Sequence, residues 1–347
     1  MKLKIFSLMI VSIALITGAS FAQVKLTGAG STFDYPIFSK WFDTYNKMTG
    51  IQINYASIGS GGGIRQVTEG TVDFGASDAP LTQQQMDAFK KAKGTEVVHI
   101  PIIIGGVAIS YNLPSVGQGI KLDGQTLADI YLGKITKWND PRLKKLNPDK
   151  KLPDKAILVA HRSEGSGTTF IFTSYLTKVS SEWAKRCGNS TSVNWPVGLG
   201  AKGTEGVAGI ISQSVGAIGY VELAYAKQNN LPYCVLENKE GNFVDVNFNT
   251  VSDAAAGAAK NMPKDLRAVI TNASGKNSYP ICGFSWVVIP QDIKNHSHAE
   301  ALVKFLKWAV TKGQENATSL FYAPLPEPVQ KLDLEKLNSI TSNGKKL

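Results

Sequence analysis

The chain has 347 residues, of which 43% are hydrophobic and 18% are charged, and its formal net charge at pH 7 is +10. With a mean hydropathy of −0.07, this composition is typical of a soluble globular protein and excludes a disordered tail and a multi-pass membrane protein. The length favours two domains, because a single hydrophobic core usually stops growing at roughly 250 to 300 residues.

The first residues resemble a secretory signal peptide. A basic start at residues 1–4 leads into an almost wholly apolar run at 5–16, and Ser20 and Ala22 place small residues at positions −3 and −1 of a cleavage site. The apolar run is well short of the ~20 residues that a membrane span needs, and no cysteine follows Ala22 to accept a lipid anchor. We therefore predict a signal peptide over residues 1–22 and a soluble exported protein.

The excess of basic residues is compatible with three kinds of partner, which are nucleic acid, an anionic membrane and a small anion. The lysines lie in short scattered groups such as Lys90-Lys91 and Lys144-Lys145, a distribution typical of solvated surface. An exported protein seldom meets nucleic acid, so a small anion is the favoured ligand.

The chain contains three cysteines, Cys187, Cys234 and Cys282. They lie far apart and lack the spacing of metal ligands, so they indicate no zinc site. In an oxidising compartment two of them can form a disulfide, whereas the alternative is three small buried thiols. The sequence leaves both alternatives open.

Strand and helix patterns alternate along the mature chain, with loops rich in Gly, Ser and Thr between them. The strands of four such units are predicted at residues 24–26, 51–58, 72–76 and 156–160. The helices that follow them are predicted at 33–45, from 64 onward, at 83–91 and up to residue 175. Alternating units of this kind predict a mostly parallel sheet covered by helices, and hence an α/β fold.

Two long apolar segments, at residues 100–110 and 279–290, interrupt this alternation, and each contains glycine. We interpret them as crossovers that link two lobes, each a mixed, mostly parallel sheet flanked by helices. On this interpretation lobe I comprises residues 23–104 and 279–347, and lobe II comprises residues 105–278. The alternative is that both segments are central strands of one large sheet.

The loops rich in Gly, Ser and Thr carry the main functional signal, because each precedes a predicted helix. Exposed backbone N–H groups and the helix dipole make a helix N-terminus a site for anions, and hydroxyl groups add further donors. A single loop of this type is more often an ordinary helix cap. Four of them in one chain, one carrying Arg162, indicate a site for an oxyanion.

The chain lacks the sequence motifs of several other kinds of functional site. No P-loop sequence occurs, and Gly28-x-Gly30 continues without the third glycine of a dinucleotide fingerprint. The nearest approach to a nucleophile elbow, at residues 75–79, has Gly75 and Ser77 but ends in Ala79, where the motif requires a second glycine. His161 adjoins a candidate loop but is assigned no catalytic role. We predict no catalytic residue, metal site or cofactor.

Two acids, Asp78 and Glu164, lie inside the candidate loops. A buried carboxylate near an anion is unfavourable unless the anion brings a proton to donate, so this arrangement favours hydrogen phosphate over fully ionised sulfate. The structural alternatives are that Asp78 caps the helix at Gln83 and that Glu164 only pairs with Arg162.

Six segments form an ordered set of motifs along the chain. They are LTGAGSTF at 26–33, IGSGGG at 58–63, VDFGASDAP at 72–80, DIYLGKITKW at 129–138, RSEGSGT at 162–168 and GAIGYVE at 216–222. In this order they resemble segments of the phosphate-binding proteins that serve ABC-type phosphate uptake in bacteria. The resemblance covers nearly the whole mature chain.

The resemblance implies a two-lobed periplasmic binding protein, type II-like, whose lobes are joined by two crossover strands and close on phosphate without a catalytic step. The implied partners are inorganic phosphate and the permease subunits of an ABC transporter with their cytoplasmic ATPase. The free protein is implied to be a monomer in the periplasm that binds no nucleic acid. Two alternatives stay open, a secreted alkaline phosphatase of related fold and a receptor for another tetrahedral oxyanion.

Ligand roles carry over where the residues match the motifs of that family. The implied phosphate-binding residues are Ser31, Thr32, Phe33, Ser60, Asp78, Arg162, Glu164, Ser166, Gly167 and Thr168. Asp78 is implied to accept the proton of the phosphate, and Arg162 to supply the guanidinium. Family members often carry Asp where this chain has Glu164, so the role of this acid departs from the family pattern.

Overall fold

The computed structural model describes residues 24–260 and 262–347, with the backbone alone described for residues 258–260. The predicted signal peptide and its cleavage site lie outside the described residues. The strands are β1 (Lys25–Gly30), β2 (Gln52–Ser57), β3 (Phe74–Ser77), β4 (Val97–Tyr111), β5 (Lys121–Leu122), β6 (Leu158–Arg162), β7 (Leu199–Ala201), β8 (Ala217–Glu222), β9 (Val235–Glu237), β10 (Phe243–Val244), β11 (Cys282–Pro290), β12 (Thr341–Ser342) and β13 (Lys345–Lys346). The α-helices are α1 (Tyr35–Thr49), α2 (Ser60–Glu69), α3 (Gln83–Lys93), α4 (Gly124–Tyr131), α5 (Pro141–Leu146), α6 (Gly167–Val179), α7 (Ser181–Arg186), α8 (Gly203–Gln213), α9 (Leu223–Gln228), α10 (Phe248–Lys260), α11 (His296–Ala309) and α12 (Glu327–Leu337), and short 3₁₀ helices lie at Lys312–Asn316 and Thr318–Leu320.

The predicted alternation of strands and helices is present in all four units. Strands β1, β2, β3 and β6 each lead through a short loop into α1, α2, α3 and α6. The boundaries differ, since β1 extends beyond its predicted end to Gly30 because its glycines pair in parallel with β2 and β3. The first glycine-rich segment, predicted as a loop, therefore begins inside the sheet.

An eight-stranded sheet runs through the molecule in the order β2-β1-β3-β11-β4-β8-β6-β7. The pairs β1–β2, β1–β3, β6–β7 and β6–β8 are parallel, whereas β11 pairs antiparallel with β3 and β4, and β4 pairs antiparallel with β8. We call the half that contains β1, β2, β3 and β11 lobe I, and the half that contains β6, β7 and β8 lobe II. Lobe I is mixed because β11 is antiparallel to β3, and lobe II is mixed where β8 pairs antiparallel with residues 107–111 of β4; helices pack against both halves.

The two long apolar segments are the unbroken strands β4 and β11. Strand β4 is 15 residues long and pairs with β11 through residues 97–106 and with β8 through residues 107–111. Strand β4 therefore crosses from lobe I to lobe II, as the crossover interpretation predicts. It also lies beside β11 at the centre of one large sheet, as the alternative predicts. A Cβ atom at Gly105 would lie 2.3 Å from the Phe33 ring. This glycine allows close packing and does not break the strand.

The three cysteines are free thiols, with Cys234 and Cys282 buried and Cys187 half-buried. This placement favours the second alternative left open by the sequence, in which they pack as small side chains. Within residues 24–260 and 262–347, every helix is too short or too polar to cross a membrane.

Candidate anion-binding site

The candidate site lies at the edge of the sheet where β1, β3 and β6 end. Gly30, the last residue of β1, has a φ of 141° and lies so close to the backbone of Ala76 that a Cβ atom would not fit. The chain turns there into residues 31–34, which precede α1. Helices α2 and α6 begin at the same edge, at Ser60 and Gly167. In open α/β sheets, ligands bind at the carboxyl ends of the strands.

The structure brings all ten predicted ligand residues to this edge. Apart from Glu164, whose side chain is 18% exposed, every one of them is buried. The Ser166 hydroxyl is already engaged, because it caps α6 by accepting from the backbone N–H of Thr169 at 3.1 Å. As the acceptor in this cap, the Ser166 hydroxyl keeps its own proton, which is left to donate.

We define the acidic side of the site as Ser31, Asp34, Asp78 and Ser285. The Ser31 hydroxyl accepts from the backbone N–H of Phe33 at 3.0 Å and donates to Asp78 Oδ1 at 2.5 Å. Ser285 Oγ lies 2.9 Å from the same Asp78 oxygen and 2.7 Å from Asp34 Oδ2. Both carboxyl groups are buried, with 0% exposure at Asp34 and 1% at Asp78.

The environment of Asp78 sets its acidity through opposing effects. Burial raises the pKa of Asp78 to about 6, because the ionised form loses solvation. Hydrogen bonds from Ser31 and Ser285 and the positive charge of Arg162 favour the ionised form and oppose this rise. Asp78 is therefore ionised at neutral pH and titrates only a little below it.

The structural alternatives for the two acids have different outcomes. The alternative in which Asp78 caps α3 is wrong, because Thr82 is the N-cap and makes a reciprocal capping box with Gln85. The pairing of Glu164 with Arg162 is present. A helix start needs only one such cap, which leaves the Asp78 carboxylate available to the site.

We define the basic side of the site as Arg162, Glu164, Thr168 and Thr204. Arg162 Nε donates to Glu164 Oε1 at 2.8 Å, and Nη2 donates to the same oxygen. Arg162 Nη1 lies 3.3 Å from Thr168 Oγ1 and 3.2 Å from Thr204 Oγ1. Glu164 also accepts from the backbone N–H of Gly203 at 3.1 Å. The guanidinium is therefore fixed in place and its charge is compensated by one carboxylate.

The two lobes are in direct contact across the site. The Ser60 hydroxyl of lobe I accepts from the backbone N–H of Gly167 at 3.0 Å, and the Gly61 N–H donates to the Gly165 carbonyl at 2.9 Å. A Cβ atom at Gly167 would lie 2.6 Å from atoms of Asp78, so only glycine permits this approach. The start of α6 is thus held against the acidic side.

Three residues of the site were not among the sequence predictions: Asp34, Thr204 and Ser285. Asp34 directly follows a predicted ligand loop, and Ser285 is the polar residue in the otherwise apolar strand β11, so each carried a local signal. Thr204 follows Gly203 at the start of α8, which is a further helix start of the type already singled out. Its hydroxyl lies 2.8 Å from that of Thr32 in lobe I.

His161, the histidine next to the RSEGSGT motif, belongs to an aromatic cluster. Its ring stacks on Trp195 with centroids 4.7 Å apart and an interplanar angle of 14°. Burial lowers the pKa of His161, which keeps the ring neutral at pH 7. In the part of the chain that the structure describes, no group of three or more His, Cys, Asp and Glu side chains is arranged to hold a metal ion.

The acidic and basic sides together define the chemistry of a ligand between them. The basic side and the starts of α2 and α6 offer N–H and O–H donors, which suit the oxygens of an anion. Asp78 offers an ionised acceptor, which suits a ligand that also carries a proton. Two lobes around such a buried site are the architecture of a solute-binding protein for an oxyanion.

Comparison with known proteins gives the family. Residues 17–312 match the family model of the PBP superfamily domain. The chain is 44% identical over 343 residues to the phosphate-binding protein PstS of Pasteurella multocida, covering 98% of each chain, and 46% identical over 305 residues to PstS of Xylella fastidiosa, covering 88% of this chain and 82% of that one. The chain belongs to the PstS family of phosphate-binding proteins.

Solved structures share its fold at low sequence identity. A DING protein superposes with a TM-score of 0.71 at 18% identity, covering 88% of this chain and 92% of that chain. The phosphate-binding protein PfluDING, solved with bound phosphate, superposes with a TM-score of 0.69 at 19% identity, covering 89% and 92%. These likenesses agree with the two-lobed α/β fold.

Proposed function

We propose that this protein binds inorganic phosphate with high affinity in the periplasm and delivers it to an ABC transporter for import. The observation that carries the proposal is the buried placement of an ionised acceptor, Asp78, on lobe I opposite a fixed guanidinium donor, Arg162, on lobe II. The relatives with 44% and 46% identity are named phosphate-binding proteins, which supports the same ligand here.

The proposed ligand set uses both sides of the site. Phosphate oxygens accept from Arg162, from the hydroxyls of Thr32 and Thr168, and from the backbone N–H groups at the starts of α2 and α6. The proton of hydrogen phosphate is donated to Asp78. The proposed binding residues are Ser31, Thr32, Phe33, Ser60, Asp78, Arg162, Glu164, Ser166, Gly167 and Thr168.

We assign the lobes to residues 23–104 with 279–347 and to residues 105–278. The change of pairing partner along β4, from β11 up to residue 106 to β8 from residue 107, supports a boundary there. The lobes close on the ligand, because an anion that bridges Asp78 and Arg162 makes contacts that an open cleft lacks.

The protein acts in transport without a catalytic step, as a monomer when free, and docks on the permease subunits of a transporter that carries a cytoplasmic ATPase. One structural neighbour is described as a phosphate ABC transporter substrate-binding protein from Clostridium perfringens, which supports this role. Export uses the signal peptide over residues 1–22. N-terminal sequencing of the periplasmic protein is expected to begin at Gln23, and a full-length N-terminus held in the membrane would contradict export.

Isothermal titration of the purified mature protein with phosphate, arsenate and sulfate tests the proposed ligand. Phosphate and arsenate, which both carry a proton near neutral pH, are expected to bind and to compete, whereas sulfate is expected to bind orders of magnitude more weakly. Sulfate binding as tight as phosphate binding would refute the assignment. An assay for phosphomonoester hydrolysis with added divalent metal covers the phosphatase alternative, and turnover there would refute the absence of catalysis.

Small-angle scattering tests lobe closure separately. The radius of gyration is expected to be smaller with saturating phosphate than without it. An identical scattering profile in the two conditions would contradict ligand-driven closure while leaving the choice of ligand intact.

A further inference from the structure

The hydroxyl of Ser285 lies between two buried carboxyl groups. Its oxygen is 2.7 Å from Asp34 Oδ2 and 2.9 Å from Asp78 Oδ1. A hydroxyl carries one proton and donates one hydrogen bond. If both carboxyl groups were ionised, one of these two contacts would join two oxygens with no proton between them. One carboxyl group must therefore be protonated and donate to Ser285.

The contacts of Asp78 identify it as the ionised member of the pair. The Ser31 hydroxyl accepts from the backbone N–H of Phe33, so its own proton is directed to Asp78 Oδ1 at 2.5 Å. A proton from Ser285 directed to the same oxygen gives Asp78 two O–H donors, an arrangement that suits a carboxylate. Asp34 then carries the proton that Ser285 accepts.

The surroundings of Asp34 agree with a neutral carboxylic acid. Asp34 is the N-cap of α1, yet its side chain accepts no backbone N–H from that helix. Within the described residues, Oδ1 of Asp34 has no hydrogen-bond partner. A helix start favours a negative charge only weakly, whereas the loss of solvation on burial disfavours a carboxylate strongly.

The charged and titratable groups that face Asp34 also favour its neutral form. Asp78 repels a second negative charge, and the other titratable groups are Glu222 and the phenols of Tyr55 and Tyr322, whose burial raises their own pKa values and favours their neutral forms. Burial first and the negative charge of Asp78 second hold the pKa of Asp34 well above its usual range.

We propose that Asp34 is a positioning residue of the binding site, a neutral carboxylic acid that donates its proton to Ser285, which in turn donates to Asp78 and holds it as an ionised acceptor. This inference rests on the proposed function, because the acceptor that it orients is the one assigned to the phosphate proton. With Asp34 neutral, the charged groups of the site are Asp78, Glu164 and Arg162, which together give a net charge of −1. An ionised Asp34 would make the net charge −2.

Infrared spectroscopy of the ligand-free protein tests where the proton lies. A protonated carboxyl group has a C=O stretching band that is separate from the carboxylate bands. We expect this band at pH 7 to lose one component in Asp34→Asn and to keep it in Asp78→Asn. Glu222 and Asp333, whose burial also raises their pKa values, contribute equally to all spectra and cancel in the differences. Loss of the component in Asp78→Asn, or no change in Asp34→Asn, would overturn the proposal.

Phosphate titration tests whether the relay matters for binding. Asp34→Ala removes the donor to Ser285 and is expected to weaken phosphate binding at least tenfold at pH 7, and Asp34→Asn, whose neutral amide still donates to Ser285, is expected to restore most of it. Ser285→Ala interrupts the relay and is expected to weaken binding at least tenfold, and Ser285→Thr, which keeps the hydroxyl, is expected to restore most of it.

A tenfold tightening in Asp34→Asn would show that an ionised Asp34 repels the ligand in the natural chain, and it would overturn the proposal. An unchanged Kd in Ser285→Ala would do the same. If the natural chain does not bind phosphate, the proposed function fails, yet the infrared difference still decides where the proton lies.

Discussion

The acidic and basic sides of the site bury charge in two different ways. On the basic side, Arg162 is paired with Glu164 through two of its nitrogens, so a counter-charge stabilises the cation directly. On the acidic side, hydroxyl groups alone surround Asp78 within hydrogen-bond distance in the described chain, and its pKa rises to about 6. A compensated guanidinium is a donor of fixed charge, whereas a carboxylate held by hydroxyls is an acceptor whose charge depends on pH.

Removal of the guanidinium on the basic side should have the largest effect. Arg162→Lys leaves one ammonium group in place of a fork of donors and leaves Glu164 incompletely paired, so phosphate Kd is expected to rise at least a hundredfold, about 3 kcal/mol. Calorimetric titration measures this change. Arg142→Lys is the matched control, because Arg142 contacts Asp129, Lys134 and Asp140. The phosphate Kd of this variant should stay unchanged. A loss below tenfold in Arg162→Lys would mean that the basic side does not dominate affinity.

On the acidic side, a neutral residue should change selectivity more than affinity. Asp78→Asn removes the charge that repels sulfate but keeps an acceptor oxygen, so phosphate affinity is expected to fall less than tenfold while the phosphate-to-sulfate ratio shrinks at least tenfold. The buried unpaired acceptor that sulfate meets in the natural chain costs about 1 to 3 kcal/mol, before repulsion is added. If Asp78→Asn rejects sulfate as strongly as the natural chain does, the donor geometry around Arg162 is the selector.

The contact between the two sides depends on a glycine. In Gly167→Ala the new methyl group would lie 2.6 Å from atoms of Asp78, so the start of α6 must move away and phosphate binding should weaken about tenfold. Gly209→Ala in α8 is the control, because a Cβ atom there meets nothing within 4 Å and alanine favours the helix. Equal binding by both variants would show that the close approach of the sides is not required.

A change in pH should affect the stability of the protein and its phosphate binding in opposite directions. The pKa of Asp78 is about 6 in the folded chain and 3.8 in its unperturbed state, so the folded protein holds this proton more tightly. As pH rises from about 4 to 6, the contribution of Asp78 therefore lowers the free energy of unfolding by roughly 3 kcal/mol. Above pH 6 this contribution stays constant. Over the same range phosphate binding should strengthen as Asp78 ionises.

Denaturant titrations of the natural chain and of Asp78→Asn at several pH values isolate this contribution. The difference in unfolding free energy between the two chains is expected to change between pH 4 and 6 and to be constant above that range. A difference that does not vary with pH would contradict a raised pKa at Asp78.

The smallest effect is expected at the edge of the basic side. Thr204→Val keeps the shape of the side chain but removes the hydroxyl that contacts Arg162 and Thr32, so phosphate Kd should rise about two- to fivefold. Thr177→Val is the control, because the Thr177 hydroxyl has no partner in the described chain and lies outside the site. Equal Kd values for the two variants would show that Thr204 does not support the guanidinium.

Much of this architecture could be read from local sequence. The strand–loop–helix units, the donors at helix starts, Asp78 and Arg162 are all features of short segments, because hydrophobic periodicity and glycine-rich turns depend on neighbouring residues. The predicted ends of the strands were less accurate, because the end of β1 depends on its pairing with β2 and β3, which lie further along the chain. Strand β4 is one unbroken strand of 15 residues that extends beyond the apolar segment predicted at 100–110, and its change of partner depends on strands far along the chain.

Only the tertiary structure decided which polar residues meet. Ser285 and Asp34 are 251 positions apart, and Thr204 and Thr32 are 172 positions apart, so no local pattern joins them. The protonation of Asp34 follows from that encounter, because a carboxyl group changes its charge when folding buries it beside another acid and a single shared hydroxyl. The sequence by itself determined the residue types that an oxyanion site needs, while long-range strand pairing determined which of them became donors, acceptors and neutral acids.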